Sequence, residues 1–287
     1  MNFIDIASWQ AGMDLAVMFA RNAKLDGVIV KLTQGTGYVN PYADEWISWL
    51  IANGKPFGTY HYMDGSGAEA EARHYAQTLK KYPGGVPALD YEDTVMAKGA
   101  GYLKSCLDEV LRLTGVRPLV YCSLSVVKSQ DFTAIAGAGY RLWMAQYADY
   151  APVHGFLDKP WQSGSPSPFP AFTAHQYTSC GQLLGWDKRL DFDKVYVTAE
   201  EWAAMAGGST PPAPDPKGPD PQVIADVLDG RYGTGLDRAA ALTAAGYDAQ
   251  AVQRKVNELY AAALSAKPYF DENLEYGNSL LKIIRLL

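Results

Sequence analysis

The segment VPALDYED, residues 86 to 93, begins apolar and ends in Asp90, Glu92 and Asp93. Side chains alternate between the faces of a β-strand, so Asp90 and Glu92 point one way and Tyr91 the other. Carboxyl groups held this close repel when both are ionised. One is therefore expected to keep a proton near neutral pH, which places an acid and a base side by side. Glycoside hydrolysis uses such a pair: a carboxylic acid protonates the leaving oxygen and a carboxylate stabilises or attacks the cationic sugar carbon. Two further acids lie in β-type runs, Asp5 in FIDIAS and Asp191 in RLDFDK. Apolar residues flank Asp5, where an unpartnered charge is costly, so it must be solvated at a mouth or paired. Any one of these acids could cap a helix or form a surface ion pair. Four acids on three strand ends are better explained by chemistry.

The elements that must position them follow a regular rhythm. Short β-type runs cover 2 to 8, 27 to 33, 56 to 63, 85 to 92, 117 to 123 and 140 to 147. Between them, 68 to 82 and 101 to 115 carry apolar residues at helical spacing, the second ending at Gly115. Strand, helix, strand in repetition predicts a parallel sheet. After 147 the rhythm changes: a Pro/Ser/Gly-rich loop leads to AFTAHQYTS (171 to 179) and KRLDFDKVYV (188 to 197) without room for crossover helices. These last strands are expected to run in hairpin fashion. Eight strands, five of them in βα units, give an α/β fold built as an irregular TIM-like (β/α)5(β)3 barrel, with the acids of the fourth strand at its C-terminal mouth. A Pro/Gly-rich linker spans 207 to 221 and cannot build a core. Beyond it a small three-helix bundle is predicted, its first helix capped by Asp220 with Pro221 at the first position and running to Gly230, its second over about 236 to 245 and its third from after Asp248 to about 264. The final NSLLKIIRLL (278 to 287) makes an amphipathic stripe too short to cross a membrane.

Composition bounds the partners. A net charge of −6 without a Lys/Arg cluster lacks the electrostatic footprint of a phosphate-tracking protein, so no nucleic-acid partner is expected. Cys106, Cys122 and Cys180 show no CxxC, and His61, His74, His154 and His175 no metal-ligand spacing, so neither metal nor cofactor is expected. No apolar run reaches the roughly 20 residues of a membrane span, and the first residues do not read as a secretory signal. The expectation is a chain made in a reducing cytoplasm. Nineteen tyrosines and seven tryptophans exceed what a core readily accommodates, because each carries a polar tip seeking a partner. Tyr62, Tyr121 and Trp143 near strand ends, and Tyr38 and Trp9 on following loops, are candidate sugar contacts; core or rim packing is the alternative for each.

Taken in order, IDIASWQ, YHY, ALDYED, LWMAQY and HQYTSCGQLLGWDKRLDFDKVY resemble the glycoside hydrolase family 25 (Chalaropsis-type) lysozymes over residues 1 to about 200. The resemblance implies cleavage of the β-1,4 bond between N-acetylmuramic acid and N-acetylglucosamine, with net retention. Position by position it makes Glu92 the general acid and Asp90 its neighbouring D-x-E aspartate, and it makes Asp5 and Asp191 the first- and last-strand aspartates. Asp193 departs from the family's usual Asn, leaving open which of Asp191 and Asp193 faces the pocket. Residues two apart on a strand have Cα atoms about 6.6 Å apart. Side-chain reach blurs the carboxyl separations that distinguish mechanisms, so direct attack by Asp90 and assistance by the substrate's own acetamido group both stay open.

Residues 223 to 259 resemble the Cpl-7-type cell-wall-binding repeat through G-x-x-G-x-G-x-x-R, LTAAGYD and VQRKVN. The expected organisation is therefore a catalytic barrel over 1–206, a linker over 207–221, and a helical wall-binding domain over 222–287 with one repeat at about 222–260. Arg238 is a candidate for a muropeptide carboxylate, a salt bridge to Asp237 or Asp229 being the alternative. The expected partner is bacterial peptidoglycan, reached after release from the cytoplasm as a phage endolysin would be; self-association through the terminal stripe would restore the avidity that tandem repeats provide. A non-catalytic wall-binding protein, or a glucosaminidase acting on the same polymer, is the rival expectation.

Overall fold

The computed structural model describes residues 1–207 and 217–266. Eight strands close into a barrel: β1 (Asn2–Ile6), β2 (Gly27–Gln34), β3 (Phe57–Tyr62), β4 (Val86–Asp90), β5 (Leu119–Ser123), β6 (Arg141–Ala145), β7 (Phe172–Gln182) and β8 (Leu190–Val195). Strands β1 to β7 pair in parallel in that order, and β8 lies antiparallel between β7 and β1. The eight β-type runs of the sequence are these eight strands. A two-residue strand, Tyr38–Val39, extends the sheet beyond the barrel at the end of β2.

Helices α1 (Leu15–Arg21), α2 (Ala43–Ala52), α3 (Ala68–Leu79), α4 (Ala100–Thr114), α5 (Leu124–Ser129) and α6 (Thr133–Gly137) fall between the strands, and α7 (Ala199–Met205) follows β8. Their ends are written in the sequence. Asp14 and Ser123 accept the amides of Val17 and Val126, Thr198 and Glu201 form a reciprocal cap on α7, and Gly115 ends α4 in the left-handed conformation at φ 73°.

The last two strands, β7 and β8, form the expected hairpin, whereas β6 and β7 are parallel. A parallel pair needs a crossover of a dozen or more residues but not necessarily a helix. Residues 146–171 supply it as a loop held by polar anchors: Gln146 exchanges two hydrogen bonds with the Ser163 backbone (2.9 and 3.0 Å), and the Leu157 amide donates to Tyr177 Oη at 3.1 Å.

Alternation along the strands decides what fills the barrel. Phe3, Ile29, Tyr60, Val86, Ala88, Leu119, Trp143, Ala174 and Val195 form its apolar interior, closed by Trp202 of α7. Two residues further toward the C-terminal mouth the same parity delivers Asp5, Lys31, Tyr62, Asp90 and Gln176, while antiparallel β8 delivers Asp193 and then Asp191. The interior is thus oily below and charged above.

The helical unit consists of α8 (Pro221–Leu228), α9 (Gly235–Ala244) and α10 (Ala249–Ala266), the expected three helices. Val223, Ile224, Val227, Leu242, Val252 and Val256 form its core. Asp220 caps α8 by accepting the Val223 amide at 2.9 Å, and Asp248 caps α10 through the Ala251 amide at 2.9 Å. Residues 217–220, expected in the linker, are ordered parts of this unit, because Lys217 exchanges backbone hydrogen bonds with Gly246 and Asp248. The amphipathic stripe 278–287 and its expected self-association lie outside the described residues, as do residues 208–216 of the linker.

Candidate active site

Strand β4 ends at Asp90, and Tyr91 turns outward to be fully buried, its Oη donating to Gln130 Oε1 at 2.9 Å. Glu92 remains extended and returns to the barrel mouth beside Asp90, as strand parity requires. The chain then turns sharply at Asp93, which holds the left-handed φ of 55° and accepts the Tyr62 phenol at 2.7 Å.

Asp5, Tyr60, Asp90, Glu92, Tyr121, Trp143, Tyr147, Gln176 and Asp191 line a cleft of about 220 Å³ at this mouth. Glu92, Tyr121 and Tyr147 are shared with an adjoining groove of about 550 Å³ lined also by Ser123, Ser125, Lys128, Gln146 and Tyr150. The half-buried Glu92 therefore stands where a deep acidic cleft opens into a wider trough. Another cavity of about 450 Å³, at the N-terminal ends of β5 and β6, holds none of the candidate residues.

Burial is the leading cause of every shift in this cluster. It pushes Asp90 well above the usual carboxylate range, with the Glu92 charge adding and Lys31 opposing. Glu92 is raised by burial and by Asp93, again against Lys31. Asp5 is raised well above its ordinary value by burial and by Asp193, against a 2.7 Å hydrogen bond from Gln176 Nε2 to its Oδ2. Burial, then Asp5 and Glu92, push Asp191 up to about 8. Asp90 Oδ1 is buried with no hydrogen-bond partner among the described residues, and burial together with the neighbouring carboxyls disfavours ionising both members of the Asp90/Glu92 pair. A carboxylic acid and a carboxylate in one cleft can protonate one atom of a substrate while steadying positive charge on its neighbour.

All four candidate acids are thus brought together in one cleft. Asp191 faces it directly across the strand pair from Asp5, while Asp193 lies one interior position deeper. The aromatic candidates divide. Tyr121 lines the cleft with its phenol donating to Gln176 Oε1 at 2.8 Å. Tyr62 is half-buried at the rim, with Lys31 Nζ 4.4 Å from its ring centre. Trp143 needs correction as a stacking residue. It is 1% exposed, packs against Tyr60 and Tyr121, and spends its Nε1–H on Asp193 at 2.7 Å, which leaves no open ring face for a sugar. Trp9 (84% exposed), in a single helical turn after β1, and Tyr38 (39%), on the two-residue strand after β2, do not line the cleft.

Sequence reasoning missed Lys31, Gln176 and Tyr147. Lys31 lies near both acids of the pair, and Gln176 joins Asp5 to the phenols of Tyr121 and Tyr147. A signal existed for Lys31, a lysine on inward parity in the largely apolar run GVIVKLT, and a weaker one for Gln176, on inward parity in the mixed run AFTAHQYTS.

In the helical unit, Arg238 pairs with neither Asp229 nor Asp237. Its Nε donates to the Gly233 carbonyl at 3.0 Å and its Nη1 to Gln253 Oε1 at 3.2 Å, tying α9 to the preceding loop and to α10. Among the described residues no group of His, Cys, Asp or Glu has the arrangement of a metal site, and no helix is long and apolar enough to cross a membrane.

Residues 4–186 match Glycosyl hydrolases family 25, and residues 221–260 match the CW_7 repeat. The chain is 28% identical over 277 residues to the lysozyme of Streptococcus phage Cp-7, covering 90% of this chain and 69% of that protein. It is 28% identical over 217 residues to the uncharacterized protein YegX of Escherichia coli K12, covering 71% and 73%. Among solved structures, the lysozyme of Streptomyces coelicolor superposes with a TM-score of 0.59 at 20% identity, over 73% of this chain and 98% of that one. The CTP1L endolysin superposes at 0.58 and 21%, over 80% and 78%. At these identities the two structures speak for the barrel fold.

Proposed function

The chain belongs to glycosyl hydrolases family 25, and from that premise we propose that it is an N-acetylmuramidase cleaving the β-1,4 bond between N-acetylmuramic acid and N-acetylglucosamine in bacterial peptidoglycan, with the biological role of a phage endolysin. The observation that carries the reading is the pairing of Asp90 and Glu92 in one cleft that adjoins, at Glu92, a groove of about 550 Å³.

In this mechanism Glu92 is the general acid. It is the less buried of the pair and stands at the junction where a leaving oxygen would emerge into the trough. Asp90 is buried deeper and works as the anion. A bound sugar's acetamido N–H reaching Asp90 would favour its ionised form and leave the shared proton on Glu92. The acetamido oxygen, steadied in this way, is then placed to attack the anomeric carbon from the face opposite the leaving group. Direct attack by Asp90 is the alternative with the same stereochemical result, net retention. Asp5 and Asp191 line the floor of the cleft beside the pair, and Lys31 limits the repulsion between Asp90 and Glu92.

Wall attachment is assigned to the helical unit on the strength of its CW_7 match. A chain of net charge −6 gains nothing from bulk attraction to an anionic wall, so targeting must come from specific contacts. Arg238 is a candidate contact through whatever donor capacity its bonds to Gly233 and Gln253 leave. Retention of the full chain on purified walls, compared with Arg238→Ala, tests this; equal retention assigns Arg238 to folding alone.

Mass spectrometry of fragments released from purified wall tests the bond cleaved. Reducing N-acetylmuramic acid ends are expected. Reducing N-acetylglucosamine ends would make the enzyme a glucosaminidase, and no fragments, with wall binding intact, would make it a binding protein.

A further inference from the structure

Asp193 is fully buried on β8, beneath Asp191 and at the boundary between the acidic mouth and the apolar interior. Its Oδ1 accepts the Trp143 Nε1–H at 2.7 Å, while its Oδ2 meets no N–H or O–H donor. The other side chain within hydrogen-bonding reach is the Asp5 carboxyl, whose own Oδ2 already accepts from Gln176 at 2.7 Å. Each carboxyl thus has a neutral donor on one oxygen, and the two groups meet each other.

Ionised carboxylates are acceptors only, so contact between two of them requires a proton. Without it, two buried anions would repel in a medium that screens poorly. No cation pairs with Asp193 among the described residues. The titratable groups around it are Asp5 on β1, Asp191 on its own strand, Tyr147 beyond β6 and Tyr177 on β7, none of which supplies positive charge.

We propose that Asp5 and Asp193 share one proton in the resting enzyme, and that Asp193 is a positioning residue fixing the Asp5 carboxyl at the floor of the cleft. The functional side of this rests on Asp5 being a cleft carboxyl of the proposed muramidase. The bridging proton does two things. It stops the Asp5 carboxyl rotating about its bond to Cβ, and it removes one negative charge from a floor that already holds Asp191 and the Asp90/Glu92 pair.

Asp193→Asn separates this from a packing role. An asparagine keeps an oxygen for Trp143 and offers Asp5 a permanent N–H donor, so the geometry survives while Asp5 becomes ionised. In full-length enzyme labelled with ¹³C at aspartate carboxyls, Asp5 and Asp193 should titrate as a linked pair that retains one proton through neutral pH. In Asp193→Asn, Asp5 should titrate about 1–3 units lower and the kcat/KM profile should move to lower pH. An Asp5 titration unchanged by the substitution overturns the proposal. Should Asp193→Asn fail to fold, Asp5→Asn reads the other partner: Asp193 should then ionise at lower pH, and an unmoved Asp193 again overturns it. The carboxyl titration is independent of turnover. Linked titration in a chain that releases no muramic-acid ends would sink the muramidase reading alone, and released ends with unlinked titration would sink the shared proton alone.

Discussion

The Tyr62 phenol donates to Asp93 Oδ2 at 2.7 Å, joining the ends of β3 and β4 one residue beyond Glu92. Asp93 sits at φ 55°, a conformation that costs a non-glycine residue energy and persists because its surroundings hold it. The bond therefore sets the turn that presents Glu92. Tyr62→Phe should lower kcat/KM on wall polymer about tenfold, ~1.4 kcal/mol, with the melting temperature little changed. An unaltered rate would show that the turn is held without it.

Gln176 donates to Asp5 and accepts from both Tyr121 and Tyr147. Gln176→Leu removes the hydrogen-bond partner that all three groups share. Activity should fall about a hundredfold, ~2.7 kcal/mol. Gln176→Glu should be worse near neutral pH, since it sets another carboxylate against Asp5. Steady-state kinetics of the two variants checks the order; a more active Gln176→Glu would contradict it.

Stability should depend on pH in the direction opposite to that of salt-bridged carboxylates. Asp191 and Asp193 are pushed up to about 8 by burial, so between about 4 and 8 the folded chain holds protons that the unfolded chain has released. Their contribution is complete below the unfolded value and is lost as pH rises through the folded one. The melting temperature should decline from pH 5 to pH 8.5, and the slope should shrink in Asp191→Asn. A melting temperature rising over that window would refute the assignment.

Glu71 is fully buried on α3 and accepts from His61 (3.2 Å), Tyr102 (2.5 Å) and the Asp64 and Gly65 amides (2.9 and 3.2 Å). Burial works against its charge, but these donors outweigh it and keep the carboxyl below its usual range. This hub fixes the loop after β3. Glu71→Ala leaves the donors unpaired and should cost about 3 kcal/mol by chemical denaturation. A loss under ~1 kcal/mol would mean that water replaces the carboxylate.

Local rules carried the sequence a long way. Short β-type runs located all eight strands, and period-two counting put Asp90 with Glu92, and Asp191 with Asp193, on one side of their strands. Glycine and aspartate chemistry located the ends of α4, α8 and α10. What escaped depends on distance across the barrel. No pattern reveals that 146–171 can bring β7 parallel to β6, since that follows from anchors such as Gln146 to Ser163. Trp143 looked like a sugar platform because it sits near a strand end, and only packing shows its ring enclosed by Tyr60 and Tyr121. Whether Asp191 or Asp193 met the cleft was open because both share parity; depth along β8 decides it.

The claim on which the rest stands is that Glu92 delivers a proton to the departing oxygen. Kinetics of Glu92→Gln on two substrates tests it most directly: wall polymer, whose leaving sugar needs protonation, and an aryl glycoside whose leaving group does not. The expected result is a loss of about 10²–10⁴ on the polymer and a small loss on the aryl glycoside. Equal losses on both, in a variant that folds and binds wall normally, would contradict it.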